Sequence, residues 1–289
     1  MAIAIESLSS PEAFSALERL QQEIFGREGG EVLPRQLLTA VVRAGGLVLG
    51  AYDTDVVPTR LCGCLIDLLA HRHGHLCRLT LLHYVEESAR NCGIGYQLRE
   101  KERKVCSKDN AELITWMIDP LRGVEAHFAF NKLGAIATSY ERDVYGELSD
   151  SANVGLATDR LAIEWWITCP RVLEILDQGR LPYHYGYGFD CMEVMTKTGV
   201  AESGVRRLQK VETDFRKDVL LFEIPVDLDR VRERDPDLAR DWRIKTRDAF
   251  EVLFAGGYVL SGFVHEAGRS FHLFERAEKA SLLRRTTRK

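Results

Sequence analysis

The sequence has 289 residues, 45% of them hydrophobic, enough to bury one substantial core or two smaller ones. Its 39 basic and 43 acidic residues give a net charge of −4, and their scatter argues against a nucleic-acid groove; the one basic cluster, residues 283–289 (LRRTTRK), reads as a solvated tail before an anionic docking site. No apolar stretch reaches the ~20 residues that span a bilayer, and the opening MAIAIESLSSPEAF lacks the features of a secretion signal, so a cytoplasmic protein with neither membrane nor nucleic-acid partners is expected.

Residues 2–8 (AIAIESL) predict a first strand. Residues 9–25 follow as a helix, with Ser10 as N-cap, Pro11 at the first helical position, and Phe14, Leu17 and Ile24 on one face. A shorter helix over 34–46 stops at the Gly45-Gly46 pair. Three apolar runs, 47–53, 60–70 and 75–85, separated by turn-like stretches, predict an antiparallel meander. After a glycine-containing loop and a charged helix, residues 111–120 (AELITWMIDP) predict another strand, closed by Pro120. A helix over 123–134 and strands near 135–140 and 159–166 complete a first unit, with an insertion at 141–156 rich in Asp, Gly and Asn. Beyond 168 the clear elements are a strand at 218–225, a helix at 236–257 and a strand at 258–266. The helix carries Leu238, Trp242, Ala249, Phe250, Leu253 and Phe254 along one stripe that must be buried. This series resembles the one at 76–118 without its glycine loop and reads as a right-handed crossover. The expected division is therefore 1–168 and 169–289, the second a smaller αβ unit, a candidate degenerate copy packed on the first.

The stretch EESARNCGIGYQLREKERK, residues 86–104, sets Arg90, Gly93 and Gly95 just ahead of the charged helix. A helix opening near Gly95 leaves its first N–H groups without intrahelical partners and favours an anion there. Gly93 and Gly95 remove Cβ atoms where a ligand would approach, and Arg90 can bond a phosphate. On these residues alone a plain tight turn is the first reading; neither a dinucleotide fingerprint nor a Walker loop is present. The pattern nevertheless resembles the pyrophosphate loop Q/R-x-x-G-x-G/A of the GNAT acyl-CoA N-acyltransferases. The order of elements over about 1–168 also resembles that family's core, with the loop between its fourth strand and third helix. A longer resemblance, to a two-part GNAT subfamily, rests on Trp116, Asp119-Pro120-Leu121, residues 132–135 (KLGA), Tyr145-Gly146, Thr158-Asp159-Arg160 and Glu164-Trp165. Some members of that subfamily are associated with N-acyl amino acid metabolism.

The resemblance implies an α/β fold of GNAT type, a mixed twisted sheet whose central strands splay to admit pantetheine. Acyl-CoA, either acetyl-CoA or succinyl-CoA, would be the co-substrate without any metal. The amine of a small molecule, amino acids included, would attack the thioester directly in a ternary complex. Cofactor binding would fall to Tyr84, Val85, Arg90, Asn91, Gly93, Ile94, Gly95 and Tyr96. A backbone N–H near His83 or Tyr84 could hold the oxyanion. For the base, Leu79 and Leu81 offer nothing, which leaves His83, also readable as a core histidine bonded to backbone, and Asp119, also readable as a turn cap. The tyrosine that commonly protonates the thiolate is replaced by Phe130, leaving water, His127, Tyr140 or Tyr145. Glu125 and Ala129 stand where the subfamily pattern has asparagines. A non-catalytic acyl-CoA binding or sensing protein is the alternative, an interaction scaffold with a vacant loop is a third reading, and a homo-oligomer is compatible with each.

Three histidines, His71, His73 and His75, alternate in HRHGH but read as a hairpin before a metal site, because no carboxylate or cysteine partner is identifiable. The seven cysteines, Cys191 among them, form no CxxC pair and read mostly as buried hydrophobes; Cys92 falls inside the loop. The run REKERK reads as a solvated helix face from which Arg99 or Arg103 could reach the adenosine phosphate.

Overall fold

The computed structural model describes residues 2–25, 32–72, 74–148, 150, 152–179, 192–212 and 217–285. His73, Cys191 and residues 286–289 of the basic tail lie outside the described residues. The chain divides into two compact units, Met1–Trp116 and Met117–Lys289.

The first unit runs β1 (Ile3–Ser7), α1 (Pro11–Phe25), α2 (Arg35–Arg43), β2 (Leu47–Asp53), β3 (Arg60–Arg72), β4 (His75–Val85), α3 (Ile94–Lys108) and β5 (Leu113–Ile118), whose last two residues pass into the second unit. Its strands lie in the order β1-β2-β3-β4-β5, antiparallel through β4, with β5 parallel to β4. The meander and both expected helices are therefore present. Ser10 caps α1 by accepting from the Ala13 N–H at 3.2 Å, ahead of Pro11. Phe14 and Leu17 of α1 pack with Leu38 and Val41 of α2 on Cys64 and Ile66 of β3. The next strand position, Leu65, belongs to a separate cluster with Ile94 and Leu98 of α3, because successive strand side chains point to opposite faces. Within this unit Arg78 of β4 donates to Asp67 of β3 at 2.5 Å and also to Asp109. Burial and the nearby Glu102 carboxylate push Asp67 up to about 7 despite Arg78.

The second unit continues with α4 (Gly123–Ala126), β6 (Ile136–Glu141), β7 (Arg160–Trp166), α5 (Pro170–Gln178), β8 (Met192–Val194), β9 (Thr196–Val200), β10 (Arg206–Val211), β11 (Val219–Ile224), α6 (Leu228–Arg234), α7 (Pro236–Ala255), β12 (Tyr258–Glu266), β13 (Arg269–Arg276) and α8 (Lys279–Arg284). Its sheet order is β7-β6-β12-β13-β11-β8, and β9 and β10 form a separate hairpin. Where one helix is expected over 123–134, α4 widens into a single π-helical turn, His127–Lys132, and ends at Gly134 with φ +74°. The amide of Asn131, within that turn, pairs with the backbone of Phe263 in both directions, at 2.6 and 3.0 Å.

The expected crossover from 218–225 to 258–266 differs from the β4–β5 series in one respect. Strand β13 lies between β11 and β12 and is antiparallel to both, so those two run in the same direction without pairing. The cause is local: Ala267 and Gly268 both have positive φ, +49° and +71°, the two-residue turn that folds β12 straight back into β13. Helix α7 begins at Asp235, whose carboxylate accepts from the Leu238 N–H at 3.0 Å, followed by Pro236. Its stripe is buried at Trp242, Ala249, Phe250 and Leu253, and half-buried at Leu238 and Phe254. Phe250 is the hub, with ring centroids of Phe274, Phe222 and Tyr140 at 4.9, 5.0 and 5.8 Å.

Among the described residues no helix is long and apolar enough to cross a membrane, and no group of three or more His, Cys, Asp or Glu is placed to hold a metal ion. Replacing Phe250 by Ala is expected to cost about 3–5 kcal/mol, read as a lowered denaturant midpoint at unchanged slope.

Candidate functional site

Strand β4 pairs with β3 as far as Val85 opposite Gly63, but with β5 only from Cys77 opposite Leu113 to Leu79 opposite Thr115. The β3 register also jumps, from Ile66 opposite Leu82 to Asp67 opposite Thr80, leaving Leu81 as a bulge on β4. A bulge bends its strand and shifts the alternation of faces. Both effects are visible here. The two strands part just past Leu79, and Thr80 rather than Leu79 or Leu81 shares the α3 side with His83. The Thr80 hydroxyl donates to Glu102 of α3 at 2.7 Å, and a methyl group on Gly95 would sit 3.4 Å from the His83 ring.

The loop after β4 makes a short helical turn at Glu87–Ala89, anchored by buried Ala89, and then exposes Arg90, Asn91, Cys92 and Gly93 in succession. Asn91 and Gly93 have φ of +63° and +79°. Gly93 is the N-cap of α3, and its carbonyl accepts the first helical bond, from Gln97 N–H at 3.0 Å. No side chain caps this end, and no acidic residue occupies the first turn. Buried Ile94 pins the turn while Gly95 and Tyr96 remain half-exposed beside it. The N–H groups and positive dipole end are those of an anion site. Arg90 is drawn back over the strand end: its Nε donates to the Val85 carbonyl at 3.2 Å, and its guanidinium lies 5.9 Å from the Tyr84 ring. Tyr84, Val85, Arg90, Asn91, Gly93, Ile94, Gly95 and Tyr96 are thus contiguous around one strand end and one helix start. Cys92 is exposed, whereas Cys62, Cys64, Cys77 and Cys106 are buried.

His83 faces the interior below this helix start. Burial lowers its pKa well below the usual histidine value and the Arg99 guanidinium adds to that, while a hydrogen bond with the Gly95 backbone opposes both. Arg99 is not on the solvated face of α3. Its side chain is buried, donating to Thr80 at 2.6 Å and Glu102 at 2.8 Å, so the expected reach towards an adenosine phosphate is ruled out for this residue. The reason is periodicity: Leu98, Arg99, Glu102 and Cys106 form the inner stripe of α3, and charge alone hid two members of it.

In the second unit, Asp119 follows β5 directly. Both of its oxygens accept from Arg243 of α7, at 2.8 and 2.6 Å, and Oδ1 also accepts from the Leu121 N–H at 2.8 Å. Burial alone would raise its pKa, but Arg243 brings it below the usual aspartate value. Beside it Glu125 accepts from the Asp119 N–H at 3.3 Å. Glu125 is exposed as a residue, yet desolvation of its carboxyl, with the Asp119 carboxylate beside it, pushes it up to about 7. The sequence offered only the departure from an expected asparagine as a signal for it.

The remaining candidates are placed as follows. His127 is exposed and meets the Asn131 amide at 3.2 Å; partial burial, Lys132 and His265 lower its pKa. Phe130 is fully buried against the His272 ring, at 6.2 Å. The Tyr140 hydroxyl donates to Asp159 at 2.7 Å, and burial followed by that carboxylate raises its pKa. Tyr145 is exposed with Arg160 over its ring at 5.3 Å, and Ala129 is buried. His272 was not anticipated; its Nε2–H donates to the Pro120 carbonyl at 2.6 Å, and burial brings it down to about 4, so it is a neutral tie for the turn after β5.

Replacing Arg243 by Ala strands a buried carboxylate and is expected to cost about 3–5 kcal/mol, measured by denaturant unfolding. At the loop, Gly93→Ala places a Cβ at positive φ and is expected to cost about 1–2 kcal/mol, whereas Gly95→Ala meets only ordinary van der Waals contact and is expected to unfold within about 0.5 kcal/mol of the wild type.

No family model matches the sequence, and no curated protein matches it. Solved structures similar to the chain include the NatC complex bound to Gag peptide and CoA, at 16% identity over 58% of this chain and 100% of that one, with a TM-score of 0.46. Naa50 from Arabidopsis thaliana, in complex with a bisubstrate analogue, matches at 16% identity over 57% of this chain and 98% of that one, TM-score 0.45. An IAA acetyltransferase from Bacillus cereus matches at 16% identity over 56% and 98%, TM-score 0.40. The likeness to these structures extends over somewhat more than half of the chain.

Proposed function

We propose that this protein is a GNAT-type N-acyltransferase that moves an acyl group, acetyl or succinyl, from acyl-CoA to the amine of a small molecule, amino acids included. Residues 1–168 would form the acyl-CoA-binding part. The observation that carries the reading is the parting of β4 from β5 past Leu79 and Thr115, beside a helix start opened by Gly93 and Gly95 without any capping side chain. Parted strands offer backbone groups to a ligand of peptide-like polarity, such as a pantetheine arm. The α3 N-terminus supplies N–H groups at Ile94, Gly95 and Tyr96 for a diphosphate, with Arg90 beside them. Alignment of the two reactants is then the main contribution to rate.

In the reaction the amine nitrogen attacks the thioester carbonyl carbon, the C–N bond forms, and the C–S bond breaks to release CoA thiolate. One proton leaves the amine and one reaches the sulfur. Of the side chains considered for proton transfer, His83 has its pKa lowered well below the usual histidine value, Asp119 is held as an anion by Arg243, Tyr140 is tied to Asp159, and His127 and Tyr145 are exposed. Within the second unit Glu125 is a further acid, raised to about 7 by desolvation first and then by the Asp119 carboxylate. A folded-state pKa raised to about 7 bears on stability. The folded protein binds a proton that the unfolded chain has lost, so the Glu125 contribution to stability falls as pH rises from its unfolded value near 4.3 through about 7.

Calorimetric titration with CoA, and CoA-release assays against a panel of amines, test the proposal. A ligand held at 100 times its Kd is expected to raise stability by about 2.7 kcal/mol, and Arg90→Ala to weaken CoA binding about tenfold. Denaturant unfolding is expected to show stability falling as pH rises through about 7, with that component abolished in Glu125→Gln. Tight CoA binding without release on any amine would establish the sensing alternative instead.

A further inference from the structure

We propose that Arg99 is a positioning residue, a rigid spacer that keeps β4 and β5 apart at the point where acyl-CoA enters the sheet. The inference rests on the acyl-CoA reading for its ligand, but on the first unit alone for its geometry. The last pair between the strands is Leu79 opposite Thr115. The residues next in line are Thr80 on β4 and Trp116 on β5, and both contact the same guanidinium. Arg99 Nη1 donates to Thr80 Oγ1 at 2.6 Å, and the guanidinium carbon lies 3.9 Å from the centroid of the Trp116 ring. The third partner fixes the group from behind. Arg99 Nη1 donates to Glu102 Oε2 at 2.8 Å, while Glu102 Oε1 accepts from Thr80 at 2.7 Å. The first two side chains beyond the last strand pair thus meet one flat cation held by α3.

The chemistry of the group suits a spacer. A guanidinium is planar, can donate in its plane and stack on an aromatic ring through its face at the same time, and keeps its charge when buried. Lysine could supply the charge but not the plane. Stability is a poor explanation for the arrangement. Arg99 and Glu102 are both almost wholly buried, and a buried ion pair is often no better for stability than apolar side chains of similar volume. What such a pair can secure is one arrangement over another, here open strands over strands that pair on past Thr80. Strands already held open do not have to be parted by the ligand, which lowers the ordering cost of binding.

The spacer has a signature that a merely structural residue lacks. It acts on the pantetheine arm and not on the nucleotide, which engages the loop. In the charge-balanced Arg99→Met/Glu102→Leu variant, CoA is expected to bind about tenfold more weakly. The affinity for 3′-phosphoadenosine 5′-diphosphate, the nucleotide of CoA without its arm, is expected to change less than about twofold. In the same variant, amides of Thr80–Val85 that do not bond β3 are expected to gain protection from hydrogen exchange as the gap closes. Arg99→Lys, which retains the buried charge pair, is expected to weaken CoA binding and raise the protection of Thr80–Val85 in the same way, with nucleotide affinity again within about twofold, and serves if the double variant does not fold. Equal weakening of CoA and nucleotide, or unchanged CoA affinity with unchanged protection, overturns the spacer. Wild-type protein that binds neither probe overturns the acyl-CoA reading instead, and exchange at Thr80–Val85 then decides the spacer by itself: gained protection supports it and unchanged protection overturns it.

Discussion

Two parallel strands of a sheet cannot part without leaving backbone donors and acceptors that need other partners. That constraint organises the first unit. The bulge at Leu81 bends β4, α3 brings Arg99 and Glu102 up to the point of departure, and the loop from Glu86 to Gly93 turns the chain so that a helix start opens beside the gap. Each feature would be a defect by itself. A bulge interrupts a ladder, a buried ion pair is costly to desolvate, and an uncapped helix end wastes hydrogen bonds. Together they are the features on which the proposed acyl-CoA reading rests.

The second unit solves a different problem with the same chemistry. Helix α7 carries an aromatic stripe centred on Phe250, and through Arg243 and Arg247 it also grips two buried carboxylates, Asp119 and Asp159. Asp119 belongs to the DPL stretch and Asp159 to TDR, two of the stretches on which the longer sequence resemblance rests. Their positions account for them as structural ties: Asp159 also accepts from Tyr140 and from the backbone of Asp143, closing the base of the insertion between β6 and β7. The carboxylate held by Arg243 has an indirect chemical effect, because its fixed negative charge is one of the two causes that lift Glu125.

Much of the architecture was legible in the chain itself because its periodicities are strong. Ser10-Pro11, Gly45-Gly46 and Pro120 mark ends that the structure reproduces, and the meander from residue 47 to 85 follows from alternating apolar runs. Three things were not legible. The bulge at Leu81 has no glycine or proline to announce it, so the residues sharing a face with His83 were read one position out. Arg99 and Glu102 sit within a run of charges whose ordinary fate is solvent, and only packing reveals that two of them turn inward. Strand β13 is launched by Ala267-Gly268, a turn whose alanine at positive φ is an uncommon choice. At the site, the loop residues stood out because glycine spacing is a local signal. The acidity of Glu125 depends on Asp119, six positions earlier, and on crowding that no spacing encodes.

Gly93 has one further consequence. A serine, threonine, aspartate or asparagine at the N-cap would accept from one of the free N–H groups, and glycine in its place costs roughly a few tenths of a kcal/mol. No side chain does so here, and on the proposed reading the diphosphate would take that place. On that reading, occupancy and the firmness of the first turn of α3 would be two faces of a single equilibrium: a bound anion would complete the helix end, and its departure would loosen it.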